Sequence, residues 1–257
     1  MGVYMIGIFD SGSGGLTVLR AIRDVLPSAN VLYFGDIKNA PYGARSREEL
    51  STLTVNAIKL LQDRGASRIV SACNSVSASL AVSIYDVFSL DSAHLIEMVG
   101  PTVAIFKGST ARILLCATQA TIHSGIYQNA FTMIGKEIVA LPLPELASAI
   151  ECDKPKEYIE HLIELSFGGV VLADFDVLIL GCTHYPLAMT SFRKVLGQGI
   201  AIYDPAVVVA QRVEKLFWPQ EVGDGTTRYI ISKDSMQFRG LVTSLFPGES
   251  SLIEVLQ

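Results

Sequence analysis

Short apolar runs alternate with longer amphipathic stretches along this chain. The runs VYMIGIF (3–9), NVLYFG (30–35), SRIVSA (67–72), ARILLCA (111–117) and DVLILG (176–181) hold few polar positions. They read as strands buried on both faces. Between them, GGLTVLRAIRDVLP (14–27) and SREELSTLTVNAIKLLQDRG (46–65) space their apolar residues for one face of a helix. The second stretch opens with Ser46 and Glu49 three residues later, a capping box, and stops at Gly65. Strands separated by helices make βαβ units, so the pattern predicts an α/β fold with mainly parallel sheet.

An internal echo refines this. RGASRIVSACNS (64–75) and LADFDVLILGCTH (172–184) share a polar lead-in, an apolar strand, a small residue, and then Cys followed by Asn or Thr. MIGIFDSGSGG and ARILLCATQAT form a looser second pair, each with polar groups just past its strand. Two similar α/β halves are therefore expected, with a changeover near 92–100, where SAHLIEMVGP brings Gly and Pro. In open α/β sheets ligands sit beyond the carboxyl ends of the strands. That rule puts Asp10-Ser11-Gly12, Cys73-Asn74-Ser75, Thr118 to Thr121 and Cys182-Thr183-His184 on the functional rim.

Composition narrows the classes. With 257 residues, half of them hydrophobic, the chain can bury one large α/β core or two smaller ones. A net charge of −5 argues against a nucleic-acid surface, which needs clustered Lys and Arg. No apolar run approaches the ~18 residues of a membrane helix. The start MGVYMIGIFD lacks the basic flank and cleavage site of a signal peptide, so a soluble cytoplasmic protein is expected. The four cysteines, Cys73, Cys116, Cys152 and Cys182, contain no C-x-x-C pair, which disfavours a zinc knuckle or a disulfide framework.

The chemistry turns on the rim. DSGSGG (10–15) has Thr at position 17 where the dinucleotide fingerprint needs Gly, and no G-K-[ST] follows. A tight strand-to-helix turn remains, with backbone N–H groups offered to a small anion such as a substrate carboxylate. NAPYGARS (39–46) is a second exposed turn, carrying Tyr42 and Gly43. Metal binding by Cys182 and His184 lacks further ligands, because His94, His123, His161 and His184 form no H-x-x-x-H. A Cys–His nucleophile would use one cysteine and leave its twin without a task. Two-base proton transfer uses both: one thiol removes an α-proton from one face of a stereocentre and the other reprotonates the opposite face. Asp10 and His184 would tune the two sulfurs.

These residues closely resemble the glutamate racemase family. The likeness lies in GIFDSGSGGLTVL (7–19), YFGD and PYG within 33–43, ACNS (72–75), ATQATIHSGIY (117–127) and LILGCTHYPL (178–187). It implies a cofactor-independent enzyme interconverting L- and D-glutamate for bacterial peptidoglycan, with no metal and no pyridoxal. The implied architecture is two α/β domains related by a pseudo-twofold axis, 1–95 with 206–257 and 96–205, and an active site in the cleft between them. By the same likeness Cys73 and Cys182 are the two acid/bases, Asp10 assists on the Cys73 side and His184 on the Cys182 side. Ser11, Tyr42, Gly43, Asn74, Ser75, Thr183 and His184 match positions that hold the amino acid's polar groups, and Thr118 and Thr121 fall at binding-site threonines. Glu151 aligns with the family's assisting glutamate, with Glu145 as the fallback, because LPELASAIEC lacks the usual second proline and second glutamate. Ser75 and Ile37 stand where Thr is usual. Family members are often dimers, so a homodimer is an expected state. Aspartate or hydantoin racemases, a thiol-acyl hydrolase and a non-catalytic carboxylate-binding protein are the competing assignments.

Overall fold

The computed structural model describes residues 5–77, 94–217, 223–248 and 252–256. Residues 3–4 of the first expected strand and 92–93 of the expected changeover lie outside these.

Two parallel sheets carry the architecture. The larger has six strands, β1 (Ile6–Asp10), β2 (Val31–Gly35), β3 (Arg68–Ser71), β4 (Leu95–Glu97), β9 (Thr227–Ile231) and β10 (Ile253–Val255), in the order β10-β9-β2-β1-β3-β4. The smaller has β5 (Ile113–Ala117), β6 (Val139–Pro142), β7 (Val177–Gly181) and β8 (Ala201–Tyr203), in the order β6-β5-β7-β8. Every pairing is parallel. All five apolar runs became strands. Period-two alternation sorts their side chains onto two faces. In β1 and β2, Ile6, Ile8, Val31 and Tyr33 join one core cluster, while Phe9, Leu32 and Phe34 join the other. In β5, Leu114 and Cys116 face one cluster, and Ile113, Leu115 and Ala117 the opposite one.

The two expected helices form as Leu16–Val25 and Arg47–Asp63. Ser46 caps the second: its hydroxyl accepts the Glu49 N–H and the Glu49 carboxylate accepts the Ser46 N–H. Gly65, at φ +96°, turns the chain away after that helix. The stretch expected as a changeover holds β4, which still belongs to the larger sheet, followed by the helix Val99–Ala104. The helix Ala206–Phe217 returns to that sheet's layer and packs on Leu16–Val25 through Val209, Ala210 and Val213.

Parallel strands share one carboxyl end. Asp10 ends β1, Cys73 follows β3, Thr118 follows β5 and Cys182 follows β7. Both sheets thus deliver their polar clusters to the junction between them. Among the described residues no helix is long and apolar enough to cross a membrane.

Candidate active site

Cys73 and Cys182 are buried free thiols, and both line one small cavity together with Ser11, Asn74, Thr118 and Glu151. One sulfur comes from each sheet.

Their surroundings differ. The Cys73 Sγ donates toward Ser11 Oγ at 3.6 Å. Burial, followed by the negative charge of Asp10, pushes this thiol up to about 12. The Cys182 Sγ lies 3.8 Å from His184 Nδ1, and His184 Nε2 lies 2.5 Å from Glu151 Oε2. Burial alone would depress the imidazole, but its contacts with Cys182 and Glu151 outweigh that and hold its pKa well above the ordinary value. Burial likewise opposes ionisation of Glu151, yet hydrogen bonds from His184 and Ser13 leave its pKa lowered. The two shifts describe one buried ion pair, imidazolium against carboxylate, on the Cys182 side of the cavity.

Asp10 is fully buried and accepts the Gly12 N–H at 2.9 Å and the Thr183 hydroxyl at 3.2 Å. Burial raises its pKa; the positive His184 and the N–H groups of Gly12 and Gly15 pull in the other direction. Three hydroxyls meet beside the cavity, with Ser75 Oγ and Thr118 Oγ1 at 2.8 Å and Thr118 and Thr121 at 3.0 Å. Ser75 and Thr118 line it and Thr121 stands behind them. Asn74, which lines the cavity, accepts the Tyr127 hydroxyl at 2.7 Å, while its buried Nδ2 has no partner. Among the described residues no group of His, Cys, Asp and Glu converges as a metal site.

The sequence matches the Asp/Glu/Hydantoin racemase family over residues 16–213. The chain belongs to this family. It is 36% identical over 243 residues to the glutamate racemase of Aquifex aeolicus, covering 92% of each chain. It is 35% identical to that of Desulforudis audaxviator, covering 92% of this chain and 91% of that one. Among solved structures, a glutamate racemase of Bacillus anthracis superposes with a TM-score of 0.87 at 25% identity, covering 99% of this chain and 97% of that one. A glutamate racemase of Francisella tularensis in complex with D-glutamate superposes at 0.86 with 25% identity, covering 99% and 98%.

Within this racemase-family fold the expected site residues converge on one junction, but three stand differently from the sequence reading. The turn DSGSGG was expected to offer its N–H groups to a substrate carboxylate. Instead the Ser13 N–H donates to Glu151 Oε2 at 3.1 Å and the Gly12 N–H to Asp10, so protein carboxylates occupy it. Tyr42 is buried, with its hydroxyl committed to Asp36 Oδ2 at 2.6 Å, so its part of the cavity wall comes from the rest of the residue. Asp10 bonds across the junction to Thr183, although its charge also bears on Cys73. Of the two candidate glutamates, Glu151 touches His184, whereas Glu145 is exposed and meets the Tyr158 hydroxyl. Cys116 sits inside β5 with its Sγ toward Ile179 O, and Cys152 is exposed.

Several residues escaped the sequence reading. Ser13 holds Glu151, Thr17 Oγ1 donates to Thr183 O at 3.1 Å, and Gln237 Nε2 donates to Ile150 O at 2.6 Å. Asp36 gathers Asn39, Tyr42 and Ser232 around one carboxylate. Ser13 and Thr17 lie in GIFDSGSGGLTVL and Asp36 in YFGD, whereas Gln237 lies in no such stretch. The bonds of Ser13, Thr17 and Gln237 join residues far apart in sequence.

Proposed function

We propose that this chain racemises glutamate, exchanging the α-proton between two thiols without a cofactor. The observation that carries the reading is the pair of buried sulfurs, Cys73 and Cys182, lining one cavity from two different sheets. The family relationship and relatives named as glutamate racemases support the substrate.

The chemistry follows from the α-carbon's weak acidity. With glutamate between the sulfurs, the sulfur lacking its proton removes the α-proton, and negative charge spreads into the adjacent carboxylate. Donors on the wall, the free Asn74 amide and the Ser75 and Thr183 hydroxyls, stabilise that charge in a site that excludes water. The opposite thiol then protonates the other face. Cys73, whose burial favours the protonated form, delivers the proton in the direction in which Cys182 removes it, and the roles exchange in the other direction. After one turnover the two sulfurs have exchanged protonation states, and proton exchange with solvent resets them for the next turnover in the same direction. Asp10 acts beside Cys73, and the His184–Glu151 pair beside Cys182.

Ser11, Tyr42, Gly43 and Thr118 complete the substrate pocket in this reading, with Thr121 supporting Thr118 from behind. Residues 1–95 with 206–257 form one domain and 96–205 the other in this reading. Strand membership supports the division except at its first boundary, where Ile96 and Glu97 of β4 stay with the larger sheet. The cytoplasm is the fitting compartment, since both thiols must stay reduced, and supply of D-glutamate for peptidoglycan is the physiological role. A homodimer is the proposed assembly, checked by sedimentation.

The test is proton NMR of the reduced protein in D2O with L-glutamate and, separately, L-aspartate. Loss of the α-proton signal together with formation of D-glutamate is expected. Exchange with aspartate alone moves the substrate assignment; exchange with neither overturns the racemase reading.

A further inference from the structure

Glu151 ends the helix Leu146–Glu151, which belongs to the layer of the smaller sheet, as does its partner His184. Yet a third group on its carboxylate, Ser13, comes from the larger one. Ser13 lies in the turn after β1 and is fully buried. Its hydroxyl donates to Glu151 Oε2 at 2.6 Å and its N–H to the same oxygen at 3.1 Å. That oxygen is also the one facing His184 Nε2. The adjoining backbone is tied to the same side, because Gln237, in the helix Met236–Leu245, donates to Ile150 O. Nearby, Thr17 holds Thr183 O and Asp10 accepts Thr183 Oγ1.

We propose that Ser13 is a positioning residue for the Cys182 half of the reaction, seating the Glu151 carboxylate against His184 only when the two halves of the molecule are closed on each other. The proposal rests on the racemase reading above. Its physical basis is the crossing of the junction. A carboxylate presented from one half and oriented by donors from the other loses that orientation when the halves separate. Closure over substrate and assembly of the proton-handling pair beside Cys182 then become one event. The serine hydroxyl matters because the N–H alone leaves the charged oxygen one donor short. Burial works against the ionised carboxyl, and the hydrogen bonds from His184 and Ser13 more than offset it.

Ser13→Ala, Glu151→Gln and the double variant provide the test, assayed in both directions with protonated and α-deuterated glutamate. Because a racemisation has an equilibrium constant of one, Ser13→Ala must lower kcat/KM equally in both directions. The expected loss is about tenfold, comparable to one hydrogen bond to a charged group. The primary isotope effect on kcat/KM should rise in the direction in which Cys182 removes the proton and fall in the other. The acid limb of the pH profile should move to higher pH. In the Glu151→Gln background, removal of the Ser13 hydroxyl should cost almost nothing more. Ser13→Gly, which removes the whole side chain, takes over if Ser13→Ala does not fold. Equal losses in both backgrounds, or isotope effects that move together in both directions, overturn the positioning role. A wild-type protein that exchanges no α-proton would instead bring down the racemase reading itself, a result distinguishable without any variant.

Discussion

The two thiols face unlike neighbours, and single residues decide what each can do. Cys73 meets Ser11 and the charge of Asp10; Cys182 meets an imidazole whose contacts with Cys182 and Glu151 raise its pKa. Cys73→Ala and Cys182→Ala are each expected to abolish racemisation in the D2O assay. Cys116→Ala should keep nearly full kcat while lowering stability by about 1 kcal/mol, a typical value for trimming a buried side chain, measured by denaturant titration. The His184–Glu151 pair also sets a pH window. The depressed Glu151 contributes fully above its ordinary 4.5, and that contribution fades as pH falls through its lowered folded value. The raised His184 contributes fully below its ordinary 6.5, and that contribution fades as pH rises toward its folded value. Thermal unfolding followed across pH should therefore show the pair's stabilisation greatest between those two ordinary values. Glu151→Gln should remove the acid flank and lessen the alkaline one, since the Cys182 contact that raises His184 remains.

At the scale of elements, the turn from β1 into the helix Leu16–Val25 is built from glycine because the other half presses against it. A Cβ on Gly14 would stand 2.6 Å from both His184 Nδ1 and Thr183 Oγ1, and one on Gly12 would stand 3.0 Å from Glu151 Oε1. Gly14→Ala is expected to displace His184 and cut kcat by about a hundredfold, the scale of losing well-placed acid–base assistance. Circular dichroism should remain that of the folded protein, since neither core cluster around β1 is touched. The helix Arg47–Asp63 makes a contrasting case. Its capping box lies on the surface, so Ser46→Ala should cost about 1 kcal/mol in urea denaturation and leave kcat unchanged.

For the whole molecule the central fact is closure. The cavity between the thiols has a volume of about 20 Å3, room on the order of one water and far too little for an amino acid. Parting of the halves to admit substrate would break the ties from Ser13, Thr17, Asp10 and Gln237. Hydrogen exchange read by mass spectrometry should show D-glutamate protecting segments 11–17 and 146–152 together. Protection of one segment without the other would contradict a concerted closure.

What could be read in the sequence was local. Apolar runs with few polar positions specified β1, β2, β3, β5 and β7, because a strand buried on both faces must be apolar throughout. The strands β6 and β8 left no such trace: they are edge strands, partly exposed, and their sequences are short and mixed. The polar clusters past the strand ends were legible because parallel topology sends every such end to one rim. The sequence by itself thus determined the α/β class, the strands bearing the thiols and the chemical types at the rim. Tertiary structure alone decided the partners. Ser13 and Glu151 are separated by 138 positions, and Gln237 and Ile150 by 87, and no periodicity encodes such pairings. It also turned the glycine-rich turn from an expected substrate cradle into a seat for the protein's own Glu151. Which donor meets which carboxylate depends on how two separately folded layers come to rest against each other.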